Sequence, residues 1–132
     1  LDTQQDVWGD ISYLGHNNAM VEELSFRQNF ALDGVSIDKT LAQRLNIFRL
    51  RNQKLNNLSY GEKRKIALQR ILQSGKKIWI LDEPYAGLDD LSIATLERIF
   101  TGHVKGGGTI VVANHQQSIL SSSVINMEKS YA

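Results

Sequence analysis

Two short stretches of this chain carry the side chains with chemistry to offer. Ile78-Trp79-Ile80-Leu81 is a continuous apolar run that ends abruptly in Asp82, Glu83 and Pro84. Two adjacent carboxylates at the end of a buried strand suit two jobs on a phosphate. One holds a hydrated magnesium ion, and the other polarises a water for attack on phosphorus. An Asp-Glu pair standing alone is better read as a strand ending in solvated acids. This pair has company upstream, in Leu58-Ser59-Tyr60-Gly61-Glu62. Ser59 is a good helix N-cap, and Glu62, three residues later, completes a capping box. A capping box alone marks an ordinary helix start. Gly61 in the first turn adds something, because a missing side chain lets an anion approach amides at the positive end of the helix dipole.

The elements that must position these residues are legible around them. The helix opened by Ser59 continues through Lys63-Arg64-Lys65-Ile66-Ala67-Leu68-Gln69-Arg70-Ile71-Leu72, with Leu68 and Leu72 on one face and Gly75 as the stop. Residues 78–82 read as a parallel strand, and ligands of open α/β sheets sit at the carboxyl ends of such strands. Asp89 or Asp90 caps a following helix whose apolar face is Ile93, Leu96, Ile99 and Phe100, and which ends before Gly106-Gly107-Gly108. The next strand is Thr109-Ile110-Val111-Val112-Ala113, so Asn114, His115 and Gln116 fall on the same sheet edge as Asp82 and Glu83. A lone histidine after a strand is usually structural. One that converges with two carboxylates is a candidate for contacting a phosphate or orienting the attacking water.

The first strand is Ile11-Ser12-Tyr13-Leu14, running into the loop Gly15-His16-Asn17-Asn18. From Val21 to about Asn57 the pattern is helical. Ser25 with Gln28 offers a second capping box, Asp38 caps another helix, and Phe26, Phe30, Leu41 and Phe48 are expected in the core. Residues 118–123 suit a short helix and Val124 to Met127 a last short strand.

At 132 residues and a net charge of +1, the chain has the size and balance of one domain or part of one, and a dedicated nucleic-acid binder is not indicated. Basic residues crowd the middle, Arg49, Arg51, Lys54, Lys63, Arg64, Lys65 and Arg70 among them, and a solvated helical surface accounts for them. There is no cysteine, hence no disulfide framework and no thiolate metal site. No apolar stretch approaches the ~20 residues that span a bilayer, so any membrane association is expected to come through a partner.

Residues 58–62 resemble the signature motif of ATP-binding-cassette (ABC) ATPases, usually Leu-Ser-Gly-Gly-Gln. Residues 78–82 resemble the Walker B strand of that family, Glu83 its catalytic glutamate, and Ala86-Gly87-Leu88-Asp89 its D-loop. His115 is similar to the switch histidine, and Asn17 stands where the family carries the Q-loop glutamine. The order and spacing of these motifs span nearly the whole chain. The resemblance implies an α/β fold: a P-loop NTPase-like nucleotide-binding domain lacking its N-terminal strands, with a helical subdomain inserted in a parallel sheet. It further implies that residues 1–16 end the N-terminal part of the ATPase core. Residues 17–74 would form the helical, signature-bearing subdomain, and residues 75–132 the C-terminal part of the core.

The roles that follow by resemblance are hydrolytic for Glu83 and His115, and magnesium through water for Asp82. Contact with ATP falls to Ser59, Tyr60, Gly61, Glu62, Asp89 and Asn17. The implied partners are a second nucleotide-binding subunit, in a homo- or heterodimer where the signature caps the other subunit's γ-phosphate, and transmembrane transporter subunits at the cytoplasmic face of a bacterial inner membrane. Tyr60, Glu62 and Asn17 depart from the commonest family pattern, and Lys63 and Arg64 are at hand to offset the charge of Glu62. Within the family, Tyr13-Leu14-Gly15-His16, Glu23-Leu24-Ser25 and His115-Gln116 look most like the heme-export cassettes of cytochrome c maturation, with other bacterial export cassettes as the runner-up.

The sequence has no glycine-rich loop with Gly-Lys-Ser or Gly-Lys-Thr, which the family needs to neutralise a triphosphate. The expectation is that this part lies before Leu1, and that the 132 residues alone turn ATP over negligibly. Two rivals remain. A DNA-repair cassette would carry a long coiled coil, for which Val21 to Asn57 leaves no room. A non-catalytic module that only pairs with a complete subunit would have no need of Asp82, Glu83 and His115 together.

Overall fold

The structure is a computed structural model that describes residues 9–113 and 124–126. Its four strands, β1 (Ile11–Leu14), β2 (Ile78–Asp82), β3 (Thr109–Ala113) and β4 (Val124–Asn126), form one sheet in the order β1-β2-β3-β4, all parallel. One register row runs Tyr13, Ile80, Val111 and Ile125, and the next runs Leu14, Leu81, Val112 and Asn126. Adjacent parallel strands need long crossovers, and helices supply the first two, from β1 to β2 and from β2 to β3.

Between β1 and β2 the chain forms α1 (Phe26–Leu32), α2 (Lys39–Arg44), two short 3₁₀ turns (Phe48–Leu50 and Leu55–Asn57) and α3 (Tyr60–Leu72). Between β2 and β3 it forms α4 (Asp90–Lys105). The caps explain where these helices begin. Ser25, Asp38, Ser59 and Asp89 each accept a hydrogen bond from the backbone amide three residues on, satisfying one of the donors that a helix start leaves free. Asp89 is thus the cap of α4, and Asp90 its first helical residue.

The end of α3 differs from the expected stop. The helix closes at Leu72 with Gln73 as its C-cap, whose side chain serves the α2 approach, donating to Ser36 O (2.7 Å) and accepting from Asp38 N (3.1 Å). Gly75, at φ +74°, then swings the chain into β2.

The core lies where α3 packs on β1 and α4 on β3. Leu14, Trp79, Leu81, Ile110 and Val112 are buried on the sheet, with Ile66, Leu68, Leu96 and Phe100 from the helices. Each such side chain contributes roughly 1.5–3 kcal/mol by leaving water. Phe26 and Phe30 are fully buried and meet edge to face at 5.0 Å, whereas Leu41 and Phe48 are half-buried at the margin, Phe48 beneath the Arg51 guanidinium (4.3 Å). In β2 the Trp79 indole donates to Lys76 O (3.0 Å) and stacks on His103 of α4 at 3.6 Å and 7°. Among the described residues no helix is long and apolar enough to cross a membrane.

Candidate functional site

The start of α3 and the turn after β2 build one cleft of about 510 Å³, lined in part by Ser59, Tyr60, Gly61, Glu62, Lys65 and Asp89. Two glycines make this approach possible. A Cβ on Gly61 would stand 2.7 Å from the Gly87 carbonyl oxygen, a backbone atom with no room to yield. A Cβ on Gly87, itself at φ +76°, would collide with the Tyr60 ring. The bare Cα of Gly61 therefore makes room for the turn at Gly87. Tyr60, unusual at its position, is accommodated because residue 87 has no side chain.

Hydrogen bonding at this helix start leaves a defined set of donors. Glu62 N donates to Ser59 Oγ (3.1 Å), and Ser59 N donates back to Glu62 Oε1 (2.9 Å). The amides of Tyr60 and Gly61 have no acceptor within the helix, and Ser59 still has its own O–H proton to give. The hydrogen bond from the Ser59 amide is the main reason the Glu62 carboxyl sits below its usual range; Arg49 adds to this from 3.3 Å. The expected offset by the adjacent cations is corrected here. Lys63 turns the other way to pair with Glu22 (2.7 Å), and Arg64 points inward. Burial lowers the Lys65 ammonium pKa, opposed by Asp89 and Glu62. Asp89 is engaged as the α4 cap, and the Ser92 hydrogen bonds hold its carboxyl low. Arg49 and Lys65 are thus matched by Glu62 and Asp89, so an anion entering this cleft would be met by directed donors rather than by net charge.

The carboxylates occupy a second place. Asp82 closes β2 opposite Ala113, and Glu83 follows with its amide donating to Ala113 O (2.6 Å). Both residues are half-buried, and neither lines the cleft. Glu83 holds φ +47°, a left-handed conformation that costs a non-glycine residue of order 1–3 kcal/mol.

A residue missed in the sequence joins the two places. Arg64, read there as part of a solvated surface, is 1% exposed. Its Nη2 donates to Asp82 O (2.5 Å) and Glu83 O (3.2 Å), and its Nη1 to Gly15 O (3.0 Å) and Asn18 Oδ1 (2.9 Å). Of the two loop asparagines, Asn18 is the one whose side chain is bonded to α3. Asn17 is exposed and lines a separate groove of about 580 Å³ with His16, Tyr60 and Lys63. His115 lies outside the described residues.

The donors at 59–61 fit the cap of a terminal phosphate. Among the described residues no three His, Cys, Asp or Glu side chains gather to hold a metal. A magnesium ion at Asp82 would take that carboxylate and complete its shell with water and phosphate oxygens, its usual habit.

Comparison with known proteins gives the family and the fold. A family model described as ABC transporter matches residues 2–86. The cytochrome c biogenesis ATP-binding export protein CcmA of Albidiferax ferrireducens is 33% identical over 126 residues, which cover 89% of this chain and 60% of that protein. Its namesake in Dechloromonas aromatica is 36% identical over 126 residues, covering 89% and 62%. The dimeric ATP-binding cassette MJ0796, solved in a post-hydrolysis state bound to ADP and Pi, matches the fold with a TM-score of 0.68 at 22% identity, over 88% of this chain and 58% of that one. The chain thus spans about 60% of the length of the curated relatives it matches.

Proposed function

This chain belongs to the ABC transporter family, and from that premise we propose that it supplies the γ-phosphate cap and the hydrolytic carboxylates of a transport ATPase. One observation carries the reading: residues 59–62 and 87–89 meet in a cleft whose lining includes neither Asp82 nor Glu83. A phosphate capped at Ser59 is therefore served by another chain's carboxylates, which is the logic of two cassettes facing each other. The dimer of the related cassette bound to ADP and Pi supports that pairing.

Bound MgATP supplies the phosphoanhydride to be broken and the cation that neutralises its charge. This chain's own groups then divide the work. Ser59 and the amides of Tyr60 and Gly61 donate to the terminal phosphate of a nucleotide held by the facing subunit. Asp82 holds hydrated magnesium, Glu83 polarises the attacking water, and His115 orients it. Asn17 takes the Q-loop position, and Asp89 contributes from the start of α4, which it caps. In domain terms, residues 17–74 are the helical subdomain, flanked by the core segments 1–16 and 75–132.

The relatives named as cytochrome c biogenesis export proteins support heme export for cytochrome c maturation, with transmembrane subunits as partners and the cytoplasmic face of a bacterial inner membrane as the location. In the full gene product assembled with its partners, Glu83→Gln is expected to lower ATP turnover by about 1,000-fold, leaving a measurable residual rate, while ATP still binds. Unchanged turnover would remove the hydrolytic role and leave a pairing module. Deleting the gene is expected to stop covalent heme attachment to c-type cytochromes; normal attachment would assign the chain to a different export cassette.

A further inference from the structure

We propose that Arg64 is a positioning residue, which holds Glu83 in its left-handed backbone conformation and ties that carboxylate's setting to the loop that follows β1. The proposal rests on the hydrolytic reading of Glu83 and deepens it.

The geometry is specific. A left-handed glutamate returns to the favoured β or α region unless its neighbours over-determine it. Several hydrogen bonds do so here, among them one from the Ala86 amide to Glu83 O at 3.2 Å. The Glu83 amide is fixed on Ala113 O at 2.6 Å, and one guanidinium nitrogen, Nη2, lies between the carbonyls on either side of the φ and ψ that are strained, Asp82 O at 2.5 Å and Glu83 O at 3.2 Å. The carbonyls of consecutive residues face one donor only when the chain between them is turned, so an extended Glu83 would not present both carbonyls to Nη2. Relaxing Glu83 to an extended conformation would swing its carbonyl off Nη2 and leave the buried guanidinium with one acceptor fewer.

The other half of the fork reaches a different element. Nη1 donates to Gly15 O and to Asn18 Oδ1, both in the loop leaving β1. Arg70, further along α3, holds the same loop by Asn18 O (3.4 Å) and Ala19 O (3.0 Å), and Ala19 itself is left-handed at φ +55°. The loop after β1 and the carboxylate edge of β2 thus share one planar, permanently charged group. A shift of the loop moves Nη1, and the rigid plane of the guanidinium carries that shift to Nη2 and to the backbone of Glu83. A lysine offers a single nitrogen in place of this two-sided fork.

The test compares Arg64→Met, Arg64→Lys and Asn18→Ala, by ATP turnover of the full gene product in its assembly and by the φ of Glu83 from a crystal structure of each variant. Arg64→Met is expected to lower kcat about 100-fold, the scale of a displaced general base, with KM for ATP within about 3-fold. Arg64→Lys keeps the charge and the fold and recovers kcat in part. Asn18→Ala lowers kcat a few-fold, by about 3 to 10. In a Glu83→Gln background, Arg64→Lys is expected to add no further loss, because both changes act on one carboxylate. Glu83 is expected to leave φ near +47° in the Arg64 variants.

The proposal is overturned if Glu83 keeps its conformation in Arg64→Lys, if that variant retains full kcat, or if it costs as much without the Glu83 carboxylate as with it. Should Arg64→Met fail to fold, Arg64→Lys and Asn18→Ala decide alone. If Glu83→Gln leaves turnover intact, the hydrolytic reading has failed, and the measured φ still judges the part assigned to Arg64.

Discussion

α1 and α3 begin with the same device and use it differently. In α1, Ser25 and Gln28 exchange backbone hydrogen bonds at 2.9 and 3.0 Å; in α3, Ser59 and Glu62 do so at 2.9 and 3.1 Å. The local chemistry is interchangeable, and the surroundings are opposite. Ser25 is buried, and the next residue, Phe26, fills the core. Ser59 is exposed, and the next residue, Tyr60, stays 52% exposed over the turn at Gly87. A capping box therefore says that a helix starts. Whether the start is scaffold or site depends on what packs against its first turn: an aromatic core in α1, and in α3 a glycine turn that leaves the donors in a cleft.

The contrast breaks most sharply at the second helical residue. Gly61→Ala places a methyl against the Gly87 carbonyl and is expected to destabilise the chain by about 1–3 kcal/mol, as overpacking does. The matching exposed residue of α1, Arg27, tolerates Ala within about 0.5 kcal/mol. Urea melts of both variants check this, and equal losses would dissolve the distinction. Next in size is Gly87→Ala, expected to cost about 2 kcal/mol from its positive φ and from the Tyr60 ring together. In a Tyr60→Gly background the ring's share disappears, so a double-mutant cycle should return a coupling of about 1 kcal/mol.

The two cap serines sharpen the comparison in a different way. Ser25→Ala and Ser59→Ala should each cost about 1 kcal/mol in stability. Only Ser59→Ala should also lower ATP turnover in the assembled protein, by about 100-fold, as loss of an anion donor does. The smallest effect is electrostatic. Glu62 is held below the usual carboxylate range in the fold, so its contribution is complete above that range and lost as pH falls through the lower folded value. Glu62→Gln keeps the capping box, costs about 0.5 kcal/mol at neutral pH and flattens the acid end of the stability profile. An acid titration followed by circular dichroism measures the slope.

What was legible in the sequence was local. The caps Ser25, Asp38 and Ser59 and the bounds of β1, β2 and β3 follow from spacings of a few residues, and the structure places them there. Illegible were the facts created when distant segments meet. Arg64 sits in a basic run that looks solvated, and is buried only because the loop at Gly15 and Asn18 and the end of β2 converge on it. Arg49 becomes the partner of Glu62 only through the fold of the intervening turn. The close approach of the Gly87 carbonyl to Gly61 is likewise made only by the fold. The motifs marked which segments matter, and three-dimensional contact decided which atoms in them do the holding.

The stack of Trp79 on His103 gives the chain an optical reporter. Trp8 and Trp79 are the two tryptophans, so a Trp8→Phe variant emits from β2 alone, three residues before Asp82. An indole in face-to-face contact with an imidazole at 3.6 Å is open to quenching by that ring, and the contact spans from the strand to the end of α4. Brightening on His103→Ala would calibrate the signal. Thereafter the colour and intensity of one residue would follow, in real time and without a label, any parting of the helix from the strand that delivers Asp82 and Glu83.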